Sequence, residues 1–88
     1  MEETLTLNNG TVLSGHLIET GGNLFLYIND TDFADVFDLL NNPENVVSIE
    51  WKRPGGIGYA NGYKYLHSIA KESATLVTAM LRKWDYDV

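Results

Sequence analysis

The sequence predicts an α+β fold: an antiparallel sheet of five or six strands with one amphipathic helix on one face, in the order βββαβββ. Two observations support this prediction. Short β-prone runs are separated by turn residues, and Asn9-Gly10 between two of these runs is typical of a hairpin. Residues 31–41 instead place their apolar side chains at helical spacing. The 88-residue length suits a single domain, residues 1–88, with one core.

Composition excludes several classes of protein. The chain has no cysteine, which excludes a disulfide framework, a thiolate metal site and a thiol nucleophile. Its net charge is −6, and an acidic protein is repelled by nucleic acid and by anionic membranes. The sequence has no signal-peptide pattern and no apolar run that could span a membrane. We therefore expect a cytoplasmic protein that binds neither membranes nor nucleic acid.

The first two predicted strands form a hairpin around Asn9-Gly10. A type I′ turn at these residues would place Leu7 opposite Val12. Gly15 falls inside the second strand, where glycine often marks a bulge or bend. A bulge there would bring Leu17 or Ile18 to the core face.

A helix is predicted over residues 31–41. Its apolar face is formed by residues at i, i+3, i+4 and i+7: Phe33, Val36, Phe37 and Leu40. One of Asp30, Thr31 and Asp32 can cap the first turn, because a short side-chain oxygen accepts a bond from an unpaired backbone N–H. An acidic stripe, formed by Asp32, Asp35 and Asp38, lies on the solvent side.

The remaining strands are less uniform. Residues 24–29 are apolar on both faces, which predicts a central strand covered by the helix, and residues 46–51 form the next strand. The glycine-rich residues 52–62 predict either a long hairpin tip or a mobile flap, with a short strand at 57–60 as an option.

The segment 63–84 allows two structures. As a hairpin, its strands are Tyr63–Ala70 and Leu76–Lys83, and Val77, Ala79 and Leu81 face inward. As a helix over about 64–83, the same segment also has a continuous apolar face. The aromatic and β-branched residues favour the hairpin, which we predict.

No catalytic or cofactor motif is present, so we expect no catalytic residue, no metal, no cofactor and no enzymatic activity. His16 and His67 lack metal-ligand spacing, and no serine lies in a nucleophile elbow. The glycine run that begins at Gly55 lacks the spacing of a dinucleotide-binding loop, and no clear helix begins there to receive a phosphate.

Aromatic and basic residues are interleaved over Lys52–Tyr65 and just before it. Trp51, Arg53, Tyr59 and Tyr63 are side-chain types that often anchor protein contacts. We therefore predict a non-enzymatic binding or structural module that acts through protein–protein contact, with a protein partner or with itself.

An alternative function uses the acidic helix stripe. Asp32, Asp35 and Asp38 could present a phosphate-like row, which would make the protein an acidic inhibitor or a mimic of nucleic acid.

The order of these elements resembles short uncharacterised proteins from phage and prophage gene clusters of Gram-positive bacteria. The residues that carry the resemblance are Leu5, Gly10, Phe25, Phe37, Leu40, Ile49, Gly62 and Tyr63. They are structural types that cover most of the chain. The resemblance implies a mobile genetic element as the origin and the host cytoplasm or the phage particle as the location, and it implies no active-site residues.

Overall fold

Seven antiparallel strands form one sheet in a computed structural model that describes residues 3–29 and 31–84. The elements are β1 Thr4–Thr6, β2 Val12–Thr20, β3 Asn23–Asn29, α1 Phe33–Leu40, a 3₁₀ helix Pro43–Val46, β4 Ser48–Arg53, β5 Gly56–Asn61, β6 Lys64–Ser73 and β7 Leu76–Lys83. The strand order across the sheet is β5-β4-β1-β2-β3-β7-β6. Strands β5 and β6 are therefore its two edges.

The α+β class is confirmed, but the prediction of five or six strands is wrong. The additional strand is β5, which pairs with β4 along its whole length through a turn at Pro54-Gly55. Gly56, at φ 142°, adopts a backbone conformation that favours glycine. The glycine-rich segment is thus an ordered hairpin and not a flap.

The C-terminal hairpin is confirmed, and the alternative helix over 64–83 is wrong. Val77, Ala79 and Leu81 are buried and alternate along β7 with partly exposed residues. This period of two is that of a strand with one face on the core. The β-branched and aromatic residues of the segment therefore outweigh its helix-forming alanine, lysine and glutamate.

The first hairpin exists, but its predicted register is wrong by one residue. Leu7 donates its N–H to the Thr11 carbonyl (2.8 Å), and Gly10 donates to the Leu7 carbonyl (2.9 Å) at φ 92°. This is a three-residue loop that ends in a glycine with positive φ, instead of a two-residue type I′ turn. The extra loop residue places Leu13 in the core and leaves Val12 exposed.

Gly15 marks a close approach between two strands and not a bulge. Strand β2 pairs with β3 in unbroken register from Gly15 onward. A Cβ atom at Gly15 would lie 2.4 Å from the Tyr27 carbonyl oxygen, so only glycine fits there. Because the register is continuous, Leu17 is buried and Ile18 remains exposed.

The helix begins at the predicted cap. The Asp32 carboxylate accepts hydrogen bonds from the backbone N–H groups of Ala34 (2.9 Å) and Asp35 (3.3 Å). Two of the otherwise unpaired donors of the first turn are thereby satisfied. The helix ends at Leu40 with Asn41 as its C-cap, close to the predicted range of 31–41.

The apolar face of α1 is only partly as predicted. Val36 and Leu40 are buried and Phe33 is half-buried, but Phe37 is 38% exposed and stacks on Phe33 with ring centroids 6.5 Å apart. Leu39 packs on the core in its place. The main contacts of α1 are with β6 and the 3₁₀ helix, and not with the predicted β3.

One hydrophobic cluster joins the strands, α1 and the 3₁₀ helix. Its buried members are Leu5, Leu7, Leu13, Leu17, Leu24, Leu26, Ile28, Val36, Leu40, Val46, Ile49, Ala60, Val77, Ala79 and Leu81. Trp51 packs against this cluster while remaining partly exposed, so it connects the interior to the surface.

Lys64 is fully buried at the corner between β5 and β6. Its Nζ lies 2.7 Å from the carbonyl oxygens of Val46 and Gly62, and 3.0 Å from those of Val47 and Ala60. The ammonium thus ties the end of the 3₁₀ helix to the end of β5. Burial lowers the pKa of Lys64 to about 8, because desolvation disfavours the charged form.

Candidate protein-binding surface

Strand β4 places Trp51 and Arg53 on the same side of the β4–β5 hairpin, because the two residues are two positions apart in one strand. The Arg53 guanidinium carbon lies 4.1 Å from the centroid of a Trp51 ring. A cation this close to an indole face is attracted by the negative face of the ring. Arg53 is exposed, so this contact holds its side chain at the surface in a defined position.

Trp51 also contacts a histidine that the sequence did not link to it. The ring of His16 meets the Trp51 ring edge-on, with centroids 5.0 Å apart and planes at 87°. His16 Nδ1 lies 2.9 Å from Glu3 Oε2, and the ring of Tyr27 is 6.2 Å away. We call Glu3, His16, Tyr27, Trp51 and Arg53 the Trp51 cluster.

Strand pairing assembles this cluster from distant parts of the chain. The Glu3 carbonyl accepts from the Gly15 N–H (3.0 Å), so Glu3 lies opposite the neighbour of His16. Strand β4 lies on the other side of β1, which brings Trp51 alongside. In the sequence, only the register of the first hairpin indicated which residues lie beside each other here, and that register was predicted wrongly by one residue.

The indole N–H of Trp51 is buried and has no hydrogen-bond acceptor within residues 3–29 and 31–84. Buried donors of this kind are nearly always paired in native proteins. A depression of about 300 Å³ lies beside Trp51, lined also by Leu17, Glu19, Gly58, Tyr59 and Ala60. His16 does not line it, so the His16–Glu3 pair does not sit in this depression.

Tyr59 and Tyr63, the other two predicted anchors, are not members of the Trp51 cluster, although Tyr59 borders the depression beside Trp51. Tyr59 is directly opposite Glu50 in the β4–β5 pair, whereas Trp51 is opposite Gly58. Because successive strand residues alternate, Tyr59 occupies the other face of the hairpin. Tyr59 is 61% and Tyr63 is 59% exposed. The structure therefore brings together two of the four predicted anchors, Trp51 and Arg53, and leaves the two tyrosines outside that cluster.

The acidic stripe is less uniform than predicted. Asp35 and Asp38 are exposed on α1, but the Asp32 carboxylate is engaged in capping the helix. A regular row of three free carboxylates is thus reduced to two. No observation in the described part of the chain favours nucleic-acid mimicry over a solvated helix face.

The two histidines are not neighbours, because β2 and β6 are separated by β3 and β7. His67 is exposed at a register shift in β6. Within the described ranges, no group of three histidine, aspartate or glutamate side chains is placed to hold a metal ion. The cluster presents two aromatic rings, a guanidinium and an imidazole, which are groups suited to contact and hydrogen bonding.

None of the helices in the described ranges has the length and apolar character needed to cross a membrane. Comparison of the chain with protein-family models, with curated proteins and with solved structures finds no match. The resemblance to phage-associated proteins therefore stays a prediction.

Proposed function

We propose that this chain is a non-enzymatic binding or structural module that acts through protein–protein contact, and that the β4–β5 hairpin is its contact surface. The observation that supports the proposal best is Arg53 held over Trp51 beside His16. Tryptophan, tyrosine and arginine are the side chains most enriched among residues that dominate binding energy. A mobile genetic element as the origin is part of the same proposal.

Preorganisation adds to the argument. A free arginine side chain loses rotamer freedom when a partner fixes it, which costs roughly 0.5–1.5 kcal/mol. Arg53 has already lost part of that freedom, because its guanidinium packs on Trp51. The imidazole of His16 is likewise oriented by Glu3. Both polar groups are therefore placed before a partner arrives.

The two faces of the hairpin offer different chemistry. The Trp51 side offers a cation and an imidazole, while the Tyr59 side offers the exposed ring of Tyr59 and the exposed aliphatic side chain of Ile57. A partner could engage one side or both.

A capture experiment tests the proposal. The full chain, immobilised, is exposed to lysate of its source cells, and recovered proteins are quantified by mass spectrometry. Arg53→Ala combined with Tyr59→Ala should reduce recovery of specific partners at least tenfold. Lys71→Ala, on the distant strand β6, is the matched control and should recover them as wild type does. Equal recovery by all three proteins, each shown folded by circular dichroism, would contradict the proposal.

A further inference from the structure

The two edges of the sheet are protected to very different degrees. β6 carries charged residues, including Lys71 and Glu72, and has two register shifts against β7. It also packs against α1 and the 3₁₀ helix. Charges, irregularities and covering elements are the devices that keep edge strands from pairing with other chains. By contrast, β5 (Gly56–Asn61) has neither a charged residue nor proline and pairs with β4 in continuous register, and among the described residues it pairs with no second strand.

The outward backbone groups of β5 follow from its pairing with β4. Gly62 donates its N–H to the Val47 carbonyl (2.9 Å), directly beyond the end of the pair. In an antiparallel ladder, every second residue exchanges hydrogen bonds with the neighbouring strand. The residues between them direct their N–H and C=O groups to the opposite side. Ile57, Tyr59 and Asn61 therefore direct their N–H and C=O groups away from β4, towards the open edge.

We propose that β5 pairs antiparallel with β5 of a second copy of this chain, around a two-fold axis at Tyr59. In this register, Tyr59 faces Tyr59 of the partner subunit, and Ile57 faces Asn61 of the partner subunit. The outward N–H groups of each copy donate to the outward C=O groups of the other, so the edge is self-complementary. The inference rests on the proposed function, because it names the partner for one part of the same hairpin.

Charge favours this arrangement over a parallel one. Lys52 lies opposite Ile57 and Arg53 lies opposite Gly56, so both bases flank one end of β5. Antiparallel pairing places the two basic ends at opposite ends of the joint, whereas parallel pairing would bring them together. Like charges directly opposite each other destabilise strand pairs.

The exposed side chains also suit a second copy. Ile57 is 53% exposed and lies two residues from Tyr59, on the same face of β5. Two-fold pairing would place these side chains next to those of the second copy on one face of the joined sheet, which shields part of their apolar surface. Because the pairing is two-fold and the opposite edge β6 is protected, assembly should stop at a dimer instead of continuing into a filament.

Solution mass is the first test. Sedimentation equilibrium of the full chain should show the mass rising with concentration from 9.9 kDa towards twice that value. Tyr59→Lys, which places a charge at the axis, should weaken dimerisation at least tenfold. Val12→Lys adds the same charge to an exposed apolar residue of another strand and should dimerise as wild type does. A wild-type mass that stays at 9.9 kDa, or a Tyr59→Lys protein that dimerises normally, would overturn the inference.

A cross-link tests the register. The chain has no cysteine, so Tyr59→Cys introduces a unique thiol. Residues facing each other in a hydrogen-bonded antiparallel pair have Cα atoms about 5.5 Å apart, within the range that a disulfide spans. Mild oxidation should join two Tyr59→Cys chains, whereas Val12→Cys should stay mostly uncoupled; equal coupling would overturn the register. If the chain is monomeric but still captures partners in an Arg53-dependent way, this inference fails and the proposed function stands.

Discussion

The guanidinium of Arg53 lies 4.1 Å from the centre of a Trp51 ring, on a tryptophan that packs against the hydrophobic core. This contact fixes a surface cation to the interior of the protein. It also predicts that a substitution of Arg53 will change the fluorescence emission of Trp51.

Arg53→Ala should shift the emission of Trp51 to the red, because removal of the guanidinium exposes that ring face to water. The loss in unfolding free energy should be small, about 0.5–1 kcal/mol, as for exposed cation–π contacts. Fluorescence and urea unfolding in a Trp84→Phe background measure both effects at Trp51 alone. Lys52→Ala is the control, because Lys52 lies between Trp51 and Arg53 in β4 and its side chain is on the other face of the strand. Unchanged emission in Arg53→Ala would contradict a contact between Arg53 and Trp51.

Lys64→Met should destabilise the protein by at least about 2 kcal/mol. The substitution keeps an apolar stem but removes an ammonium whose three N–H groups serve four carbonyl oxygens. The Val47 carbonyl keeps the Gly62 N–H as a donor, and each buried group that is left unpaired costs roughly 1–3 kcal/mol. Lys71→Met, at an exposed position, should change unfolding free energy by less than about 0.5 kcal/mol. Urea unfolding compares the two variants, and equal stabilities would show that the buried ammonium contributes nothing.

The lowered pKa of Lys64 predicts a pH dependence of definite sign. The folded chain releases the proton near pH 8, whereas the unfolded chain holds it up to about 10.5. Between these values the unfolded state binds more protons, so the contribution of Lys64 to the free energy of unfolding rises with pH. Below pH 8 both states are protonated and the contribution is constant.

Two measurements check this dependence. NMR of the Lys64 Cε and Hε signals should give a titration midpoint near pH 8. The difference in unfolding free energy between wild type and Lys64→Met should grow from pH 8 to 10.5. A midpoint at the ordinary lysine value would contradict both expectations.

Gly15→Ala should destabilise the fold by about 2 kcal/mol or more, because its methyl group would meet the Tyr27 carbonyl oxygen at 2.4 Å. Gly58→Ala is the matched control, since that strand position has open space around it and should change stability by less than about 1 kcal/mol. Thermal unfolding of the two variants makes the comparison. Similar midpoints would show that β2 and β3 can separate locally without cost.

Local patterns predicted much of this fold. The alternation of Val77, Ala79 and Leu81 identified a strand, and Asp32 was among the three predicted caps of α1. Both features depend on neighbours within a few residues. Phe37 shows the limit of the same reasoning: its helical position is right, but exposure depends on where β6 and the 3₁₀ helix meet α1.

Features that depend on long-range pairing were not predictable in the same way. Nothing in the sequence around Lys64 indicates a buried ammonium, because its acceptors come from the 3₁₀ helix and β5. The link between His16 and Trp51 requires that β1 lie between β2 and β4. The predicted anchors were chosen by residue type, and strand alternation then separated Trp51 from Tyr59.

The most direct test of the proposed contact surface is the indole N–H signal of Trp51 in an isotope-labelled chain. On addition of source-cell lysate, we expect the Trp51 signal to shift or broaden, because a partner on the β4–β5 hairpin would contact that ring. The signal of Trp84, which is exposed beside Tyr65, serves as the internal reference and should change far less. A Trp51 signal that stays unchanged while the rest of the spectrum shows binding would contradict the account.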